Sequence, residues 1–225
     1  MRRIPELELM ENIEQARAYS CADFSESNNI FVNNLFRVSK INDKTKILDI
    51  GCGDGEIPIQ ILKRKNCDIT AVDGSEAMLD EFYKKVNNNK ITNIKIMNSL
   101  IDDELLLDSK FDIVMCNSLV HHINDIKSFW RNLIRLTDNN GVILCMDLQR
   151  PDDECSLINL LQTYGGNNLT LKKDFENSLR AAYTIDEIKS QLNEINKISF
   201  TIKPVSDRHF FVSIRLKDDT IFKTK

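Results

Sequence analysis

An apolar strand that runs straight into alternating glycines leaves a chain few ways to fold. In KILDIGCGDG, residues 46–55, the segment 47–50 reads as a short buried strand, and glycines follow at 51, 53 and 55. From Glu56 the period changes. Ile57, Ile59, Ile61 and Leu62 are apolar, whereas Gln60, Lys63 and Arg64 are polar, which predicts a helix. Pro58 falls in its first turn, where a missing N–H does no harm, so the helix should start near Gly55. Strand, glycine turn and helix N-terminus together bring backbone N–H groups against a ligand. Glycine serves in such a turn because it accepts positive φ and has no Cβ to block close approach.

Two acids flank the turn. A second apolar run, 68–72, ends in Asp73, about 20 residues past the glycines, where an acid at the tip of a second strand can accept both ribose hydroxyls. Asp49 sits inside the first strand. A buried carboxylate is costly unless paired, so Asp49 is expected to face the loop or a cationic ligand. An ordinary strand–helix turn with a solvated Asp73 is the other reading of the same residues.

The chain around this turn keeps alternating strand and helix patterns. Residues 76–86 read as a helix with Met78, Leu79, Phe82 and Val86 apolar, followed by a polar turn at 87–90 and a third strand over 93–98. Residues 111–116 are nearly all apolar, as a strand buried on both faces should be. Asn124 is placed to cap a helix carrying Ile126, Phe129, Trp130, Leu133 and Ile134, which 138–141 ends, and a fifth strand follows over 142–148. This order implies an α/β fold with a doubly wound, mainly parallel sheet.

Ahead of the first strand, one helix carrying Leu7, Leu9, Met10 and Ile13 runs to about Tyr19. A second, capped by Ser25 or Ser27, carries Ile30, Phe31, Leu35, Phe36 and Val38. Both are too short to stand alone and should dock on the sheet. After the fifth strand, Pro151 and the acids at 152–154 start a helix that Gly165 and Gly166 stop. A second helix pattern runs through 174–183, and Thr184 with Glu187 forms a capping box. The runs 198–202 and 210–216 read as a closing antiparallel hairpin. The expected plan is a single domain over 1–225: N-terminal cap helices at 1–43, a core at 44–148, a helical insertion at 149–196 and the hairpin at 197–225.

LDIGCGDG at 48–55, AVDGSEAML at 71–79 and FDIVMCNSLVHHI at 111–123 resemble, in order and spacing over about residues 44–150, the successive signatures of class I S-adenosylmethionine-dependent methyltransferases. A dinucleotide-dependent dehydrogenase more typically shows Gly-x-Gly-x-x-Gly; here the third glycine comes after one residue and position 56 is Glu. The resemblance implies a Rossmann-like methyltransferase fold and the cofactor S-adenosyl-L-methionine, with S-adenosyl-L-homocysteine as product. It implies that Asp49, Gly51, Gly53 and Asp73 hold that cofactor, joined by Met78, Ser99, Leu100 and Asn117. The backbone of Ser99 and Leu100 would read the adenine, Leu100 and Met78 would sandwich it, and Asn117 would meet the methionine end. Related enzymes often carry an acid just after the third strand, where this chain has Asn98 and Ser99, with Asp102 only later. By the same resemblance, 18–24 is a candidate lid and 149–196 walls the acceptor pocket, with Tyr19, Tyr164 and Tyr183 as pocket residues. The loop after the fourth strand is neither Asn-Pro-Pro-Tyr nor Asp-Pro-Pro-Tyr, which argues against methylation of exocyclic base amines or of glutamine.

A sulfonium methyl is already activated, so such an enzyme mainly aligns acceptor, methyl and sulfur and excludes water. A general base helps where the acceptor must lose a proton. The chain has three histidines, and each is a catalytic candidate: His121 and His122 follow the fourth strand, and His209 follows Asp207 and Arg208 in the hairpin connection. Structural histidines are the alternative. Neighbouring histidines on one extended loop tend to diverge and no acidic triad accompanies them, so no metal is expected.

Charge narrows the acceptor. Thirty basic residues against 34 acidic ones leave a net charge of −4, with no long basic run, which argues against a nucleic-acid substrate. The six cysteines include no Cys-x-x-Cys and suggest neither zinc nor disulfides; Cys52, Cys116 and Cys145 fall in or beside apolar strands and read as small core residues in a reducing compartment. Arg2 and Arg3 are not followed by an apolar region, and no apolar run approaches the roughly 20 residues of a membrane span. The expectation is a cytoplasmic enzyme, monomer or homodimer, that moves a methyl group in line to an O, N or C nucleophile of a small molecule. Two other classes fit the same motifs: a protein or RNA methyltransferase with a basic or extended groove, and a non-catalytic cofactor-binding partner subunit.

Overall fold

The computed structural model describes residues 1–6, 10–103, 106 and 109–217; Leu7 and Leu9 lie outside the described residues. The apolar run before the glycines forms β1 (Lys46–Ile50), and it is central. Strands β2 (Asp68–Asp73) and β3 (Ile94–Asn98) lie to one side of it, and β4 (Phe111–Asn117) and β5 (Thr137–Leu148) to the other, all parallel. Strands β6 (Ile198–Pro204) and β7 (His209–Leu216) form the antiparallel hairpin. β7 inserts between β5 and β6, so the sheet reads β3-β2-β1-β4-β5-β7-β6.

Alternation along the strands builds two apolar layers. On one face Leu48, Val114, Ile143 and Cys145 meet Phe129, Trp130 and Leu133 of α5 (Ile126–Leu136) and Ile188 and Leu192 of α8 (Ile185–Asn193). Trp130 is fully buried in that layer, with its indole N–H donating to Gln191. On the other face Ile47, Ile113, Met115 and Leu144 meet Phe31, Val32 and Leu35 of α2 (Ser25–Val38), Ile59 and Ile61 of α3 (Glu56–Arg64), and Leu79 and Phe82 of α4 (Glu76–Asn89). Each large apolar side chain so buried contributes about 1.5–3 kcal/mol. A smaller cluster, Leu148, Leu157, Leu179 and Ala182, seats α6 (Glu154–Tyr164) and α7 (Leu169–Ala181) over the end of β5. α1 (Ile13–Cys21) packs on α4 and α7. No described helix is long and apolar enough to cross a membrane.

Several helix ends differ from the sequence expectation: α1 starts only at Ile13, leaving Met10 ahead of it, and α7 spans Leu169–Ala181 instead of 174–183. Ser25 and Ser27 lie inside α2, and Asp23 accepts the Ser25 N–H instead, because its carboxylate stands two residues ahead of that donor. Asp125, not Asn124, caps α5 by accepting the Ser128 N–H. α4 runs on through Asn89, and the turn falls on Lys90, whose left-handed φ of 54° lets its N–H reach the Val86 and Asn87 carbonyls. The helix cap at Gly165 and the Thr184–Glu187 capping box form where the sequence places them.

Because β7 is antiparallel to β5, its first residues pair with the last of β5: Leu148 faces His209. The start of the hairpin's second strand therefore lies at the carboxyl ends of the parallel strands, beside the glycine turn.

Candidate active site

A cavity of about 970 Å³ opens over those carboxyl ends. Its floor is the glycine turn. Gly55 is the residue before α3, at φ 76°, and a Cβ there would stand 1.9 Å from the Phe82 ring. Only glycine fits both the backbone angle and the space. Gly51, at φ 67°, would likewise press a Cβ to 2.8 Å from Leu119. The carboxylate of Asp73 fastens the turn from the next strand, accepting the N–H of Gly53 and that of Ser75, each at 2.8 Å.

Asp49 is 3% exposed, and no cation or hydrogen-bond donor among the described residues is bonded to it. Burial, and then the neighbouring Asp73, pushes its carboxyl well above the usual range. Asp73 is raised too, by burial, although the N–H groups of Ser75 and Gly53 work against that. Asn117, at the tip of β4, adds a buried side-chain oxygen with no partner. Asp49, Asn117 and Met78 all line the cavity. Asp54, also at the turn, is neutralised by Lys85 at 2.6 Å.

The N-terminal helices roof this floor. Ser75 Oγ donates to the Met10 carbonyl, and Gln15 of α1 donates to Asp174 of α7 at 2.9 Å. Tyr19, in the last turn of α1, enters the cavity and packs on Phe24 with ring centroids 4.5 Å apart. Burial, then Asp54, Asp73 and Asp147, drives its phenol up, so Tyr19 stays a neutral donor.

The far end is polar. Asp147, at the end of β5, accepts from the backbone N–H of His121 and of Leu148, and lies 2.6 Å from His121 Nδ1. Burial alone would raise this carboxyl; the His121 contacts and the Leu148 N–H outweigh it and hold it below the usual range. With Nδ1 engaged by the Asp147 carboxylate, Nε2 is the His121 nitrogen left for another partner. His122 does not diverge from its neighbour as expected of an extended loop. Val120–His122 forms a 3-10 turn, which brings the two imidazole centroids to 4.1 Å. His122 Nδ1 is buried without a partner, and burial, then His121, lowers this imidazole to about 3. Glu6 completes the group: one ligand-capable atom from each of Glu6, His121 and His122 lies within 4.8 Å of the others. Arg3 delivers Glu6 there. Its guanidinium donates to the carbonyls of Ala181 (2.6 Å) and His121 (2.8 Å) and stacks 4.1 Å over the Tyr183 ring. Ser178 then donates to the Glu6 carboxylate at 3.1 Å.

The hairpin connection forms the remaining wall. Arg208 lies 3.4 Å over the Tyr164 ring and reaches Glu26 at 3.3 Å, while Tyr164 donates to Asp207 at 2.6 Å. His209 lines the cavity with Nδ1 2.9 Å from Ser206 Oγ; burial, then Arg208, lowers it to about 4.

Three expected site residues stand outside the cavity wall. Tyr183 is buried under Arg3, its hydroxyl donating to the Ile123 carbonyl at 2.9 Å, so it braces the histidine turn from behind. Leu100 is 54% exposed, and Ser99 turns its hydroxyl to the Leu100 carbonyl and Asp103. Ser99 does touch the turn through its backbone, donating to the Asp73 carbonyl at 3.0 Å. Sequence reasoning passed over Glu6 and Asp147. Asp147 carried a usable signal, a charge at the end of an apolar strand like that of Asp49. Glu6 carried none.

The sequence profile described as "Methyltransferase domain" matches residues 47–141. Among curated proteins, the ubiquinone biosynthesis O-methyltransferase of Rickettsia akari is 31% identical over 109 residues, which is 48% of this chain and 41% of that protein. Its namesake from Pelagibacter ubique is 30% identical over 108 residues, 47% of this chain and 42% of the relative. The chain therefore matches less than half the length of these relatives. Among solved structures, the plantazolicin methyltransferase BamL, in complex with a desmethyl analogue and SAH, superposes with a TM-score of 0.71 at 17% identity, covering 91% of each chain. A SAM-dependent methyltransferase from Aquifex aeolicus gives 0.67 at 15% identity, covering 90% of this chain and 97% of that one. These superpositions extend the shared fold well beyond the matched segment.

The matched segment supplies Asp49, the glycine turn, Asp73, Asn117 and both paired histidines. Glu6, Tyr19, Tyr164, Arg208 and His209 come from outside it. The segment's own residues fit S-adenosylmethionine: a buried unpaired carboxylate and an orphaned amide oxygen suit a cationic methionyl group, and Asp73 suits a ribose.

Proposed function

We propose that this protein is an S-adenosylmethionine-dependent methyltransferase acting on a small molecule at an oxygen atom. The observation that carries the reading is Asp49, a carboxylate buried without a cation at the floor of a large cavity. A bound cation removes that cost. When bound, S-adenosylmethionine supplies a methyl group that passes to an acceptor lone pair as the C–S bond electrons return to sulfur, leaving S-adenosylhomocysteine.

The chain's residues then divide the work. Asp49 and Asn117 hold the methionyl end, and Asp73 accepts from the ribose hydroxyls. Met78 packs beneath, and the adenine runs toward Ser99 and Leu100 at the tip of β3. Tyr19 and the α1 roof exclude water. The acceptor lies toward Tyr164, Arg208 and His209, with Glu6, His121 and His122 at the polar end, where a hydroxyl proton is lost. An oxygen acceptor is supported by the names of the Rickettsia and Pelagibacter relatives, which are O-methyltransferases. Free buried cysteines at 67, 116 and 145 support a cytoplasmic setting.

Calorimetric titration with S-adenosylmethionine, S-adenosylhomocysteine and NAD tests the proposal. Both adenosyl ligands should bind at micromolar concentration, and Asp73→Ala should weaken them at least tenfold, since each charge-assisted hydrogen bond is worth about 1.5–3 kcal/mol. Binding of NAD alone would overturn the reading.

A further inference from the structure

Methyl transfer does not by itself call for two adjacent imidazoles and a carboxylate at one point of the cavity. Glu6, His121 and His122 converge there from the N-terminal segment and the turn after β4, with ligand-capable atoms within 4.8 Å of one another. The surroundings are those of a ligand set. Asp147 occupies Nδ1 of His121 and leaves Nε2 free, which is how a carboxylate orients a metal-bearing imidazole. His122 Nδ1 is buried without a hydrogen-bond partner, a cost that a bound group removes. Arg3, through two backbone carbonyls, and Ser178, through its hydroxyl, fix the Glu6 segment against the histidine turn.

We propose that Glu6, His121 and His122 bind one divalent transition-metal ion, with its open coordination positions facing the cavity. Two imidazoles and one carboxylate suit zinc, cobalt or iron(II) and not magnesium or calcium, which take oxygen donors. Three protein ligands leave room for a further oxygen. On the reading that this cavity takes a methyl acceptor, on which this part of the inference rests, that oxygen is the acceptor's hydroxyl. A hydroxyl bound to a divalent cation ionises at lower pH, its proton passing to solvent, and becomes the nucleophile for the methyl group.

The test is cobalt(II) titration of chelator-stripped full-length protein, followed by calorimetry and by visible d–d absorption. Glu6→Gln and His122→Ala are titrated alongside, and every sample is also titrated with S-adenosylhomocysteine. Wild type should take up one equivalent of cobalt with d–d bands of a nitrogen- and oxygen-ligated ion. Each variant should bind at least tenfold more weakly, with S-adenosylhomocysteine affinity within about twofold of wild type. Glu6→Gln keeps shape and the Ser178 contact, so its loss of cobalt alongside intact S-adenosylhomocysteine binding is not unfolding. Absence of saturable cobalt binding in wild type, or equal binding by both variants, would overturn the metal site and leave the methyltransferase reading standing. Cobalt binding by a wild type that ignores S-adenosylhomocysteine would support the metal site and overturn that reading.

Discussion

Asp49 sets stability against binding at a single carboxylate. Its folded-state pKa is raised, by burial and then by Asp73, so the ionised form opposes folding at neutral pH and the ligand-free protein regains stability as pH falls. Asp49→Asn should therefore raise the melting temperature of the ligand-free protein at pH 7 by a few degrees, at about 2–4 °C per kcal/mol for a chain of this size. The gain should shrink as the buffer is acidified toward pH 4. The same variant should bind S-adenosylmethionine at least tenfold more weakly, measured by calorimetry. Asp49, Asp73 and the glycines were legible in the sequence because charge and glycine stand out against apolar strands. Asp147 was legible on the same ground. Glu6 was not, because Arg3 places it through carbonyls 118 and 178 residues away in sequence. Arg3→Ala should free that segment and raise the acceptor KM, while S-adenosylhomocysteine affinity stays put.

At the scale of the element, the glycine turn and α3 depend on Gly55. Gly55→Ala forces a left-handed alanine into the Phe82 ring and should cost about 2–4 kcal/mol from strain and overpacking, read from the denaturant midpoint. The cap of α5 offers a sharper check. Asp125→Ala should cost about 1 kcal/mol, and Asn124→Ala under about 0.5 kcal/mol. Sequence periodicity found this helix but missed its cap by one residue, because Asn and Asp are both good caps and only the backbone geometry chooses between them. At α8, Glu187 joins the capping box to Arg150 at 2.6 Å. Burial works against its ionisation, but Arg150 and the Thr184 N–H prevail and hold the carboxyl below its usual range. Its contribution is therefore present above the unfolded value of about 4.3 and is lost as pH falls through the folded one. The melting-temperature gap between wild type and Glu187→Gln should close below about pH 4.

For the whole molecule, the strand–helix alternation made the parallel half of the sheet readable in advance, since each unit can connect in one hand only. The hairpin was readable as a hairpin. Its insertion of β7 beside β5 was not, because pairing partners of distant strands leave no local pattern. That insertion puts Arg208 and His209 on the wall of the cavity floored by the glycine turn. It also fixes a timetable for synthesis. A chain emerging from the ribosome delivers β1, β2 and β4, which carry Asp49, Asp73 and Asn117, well before β7 adds His209 to the cavity wall. On the proposed reading, a nascent chain can thus have Asp49, Asp73, Glu6 and the paired histidines in hand while Arg208 and His209 are still unmade.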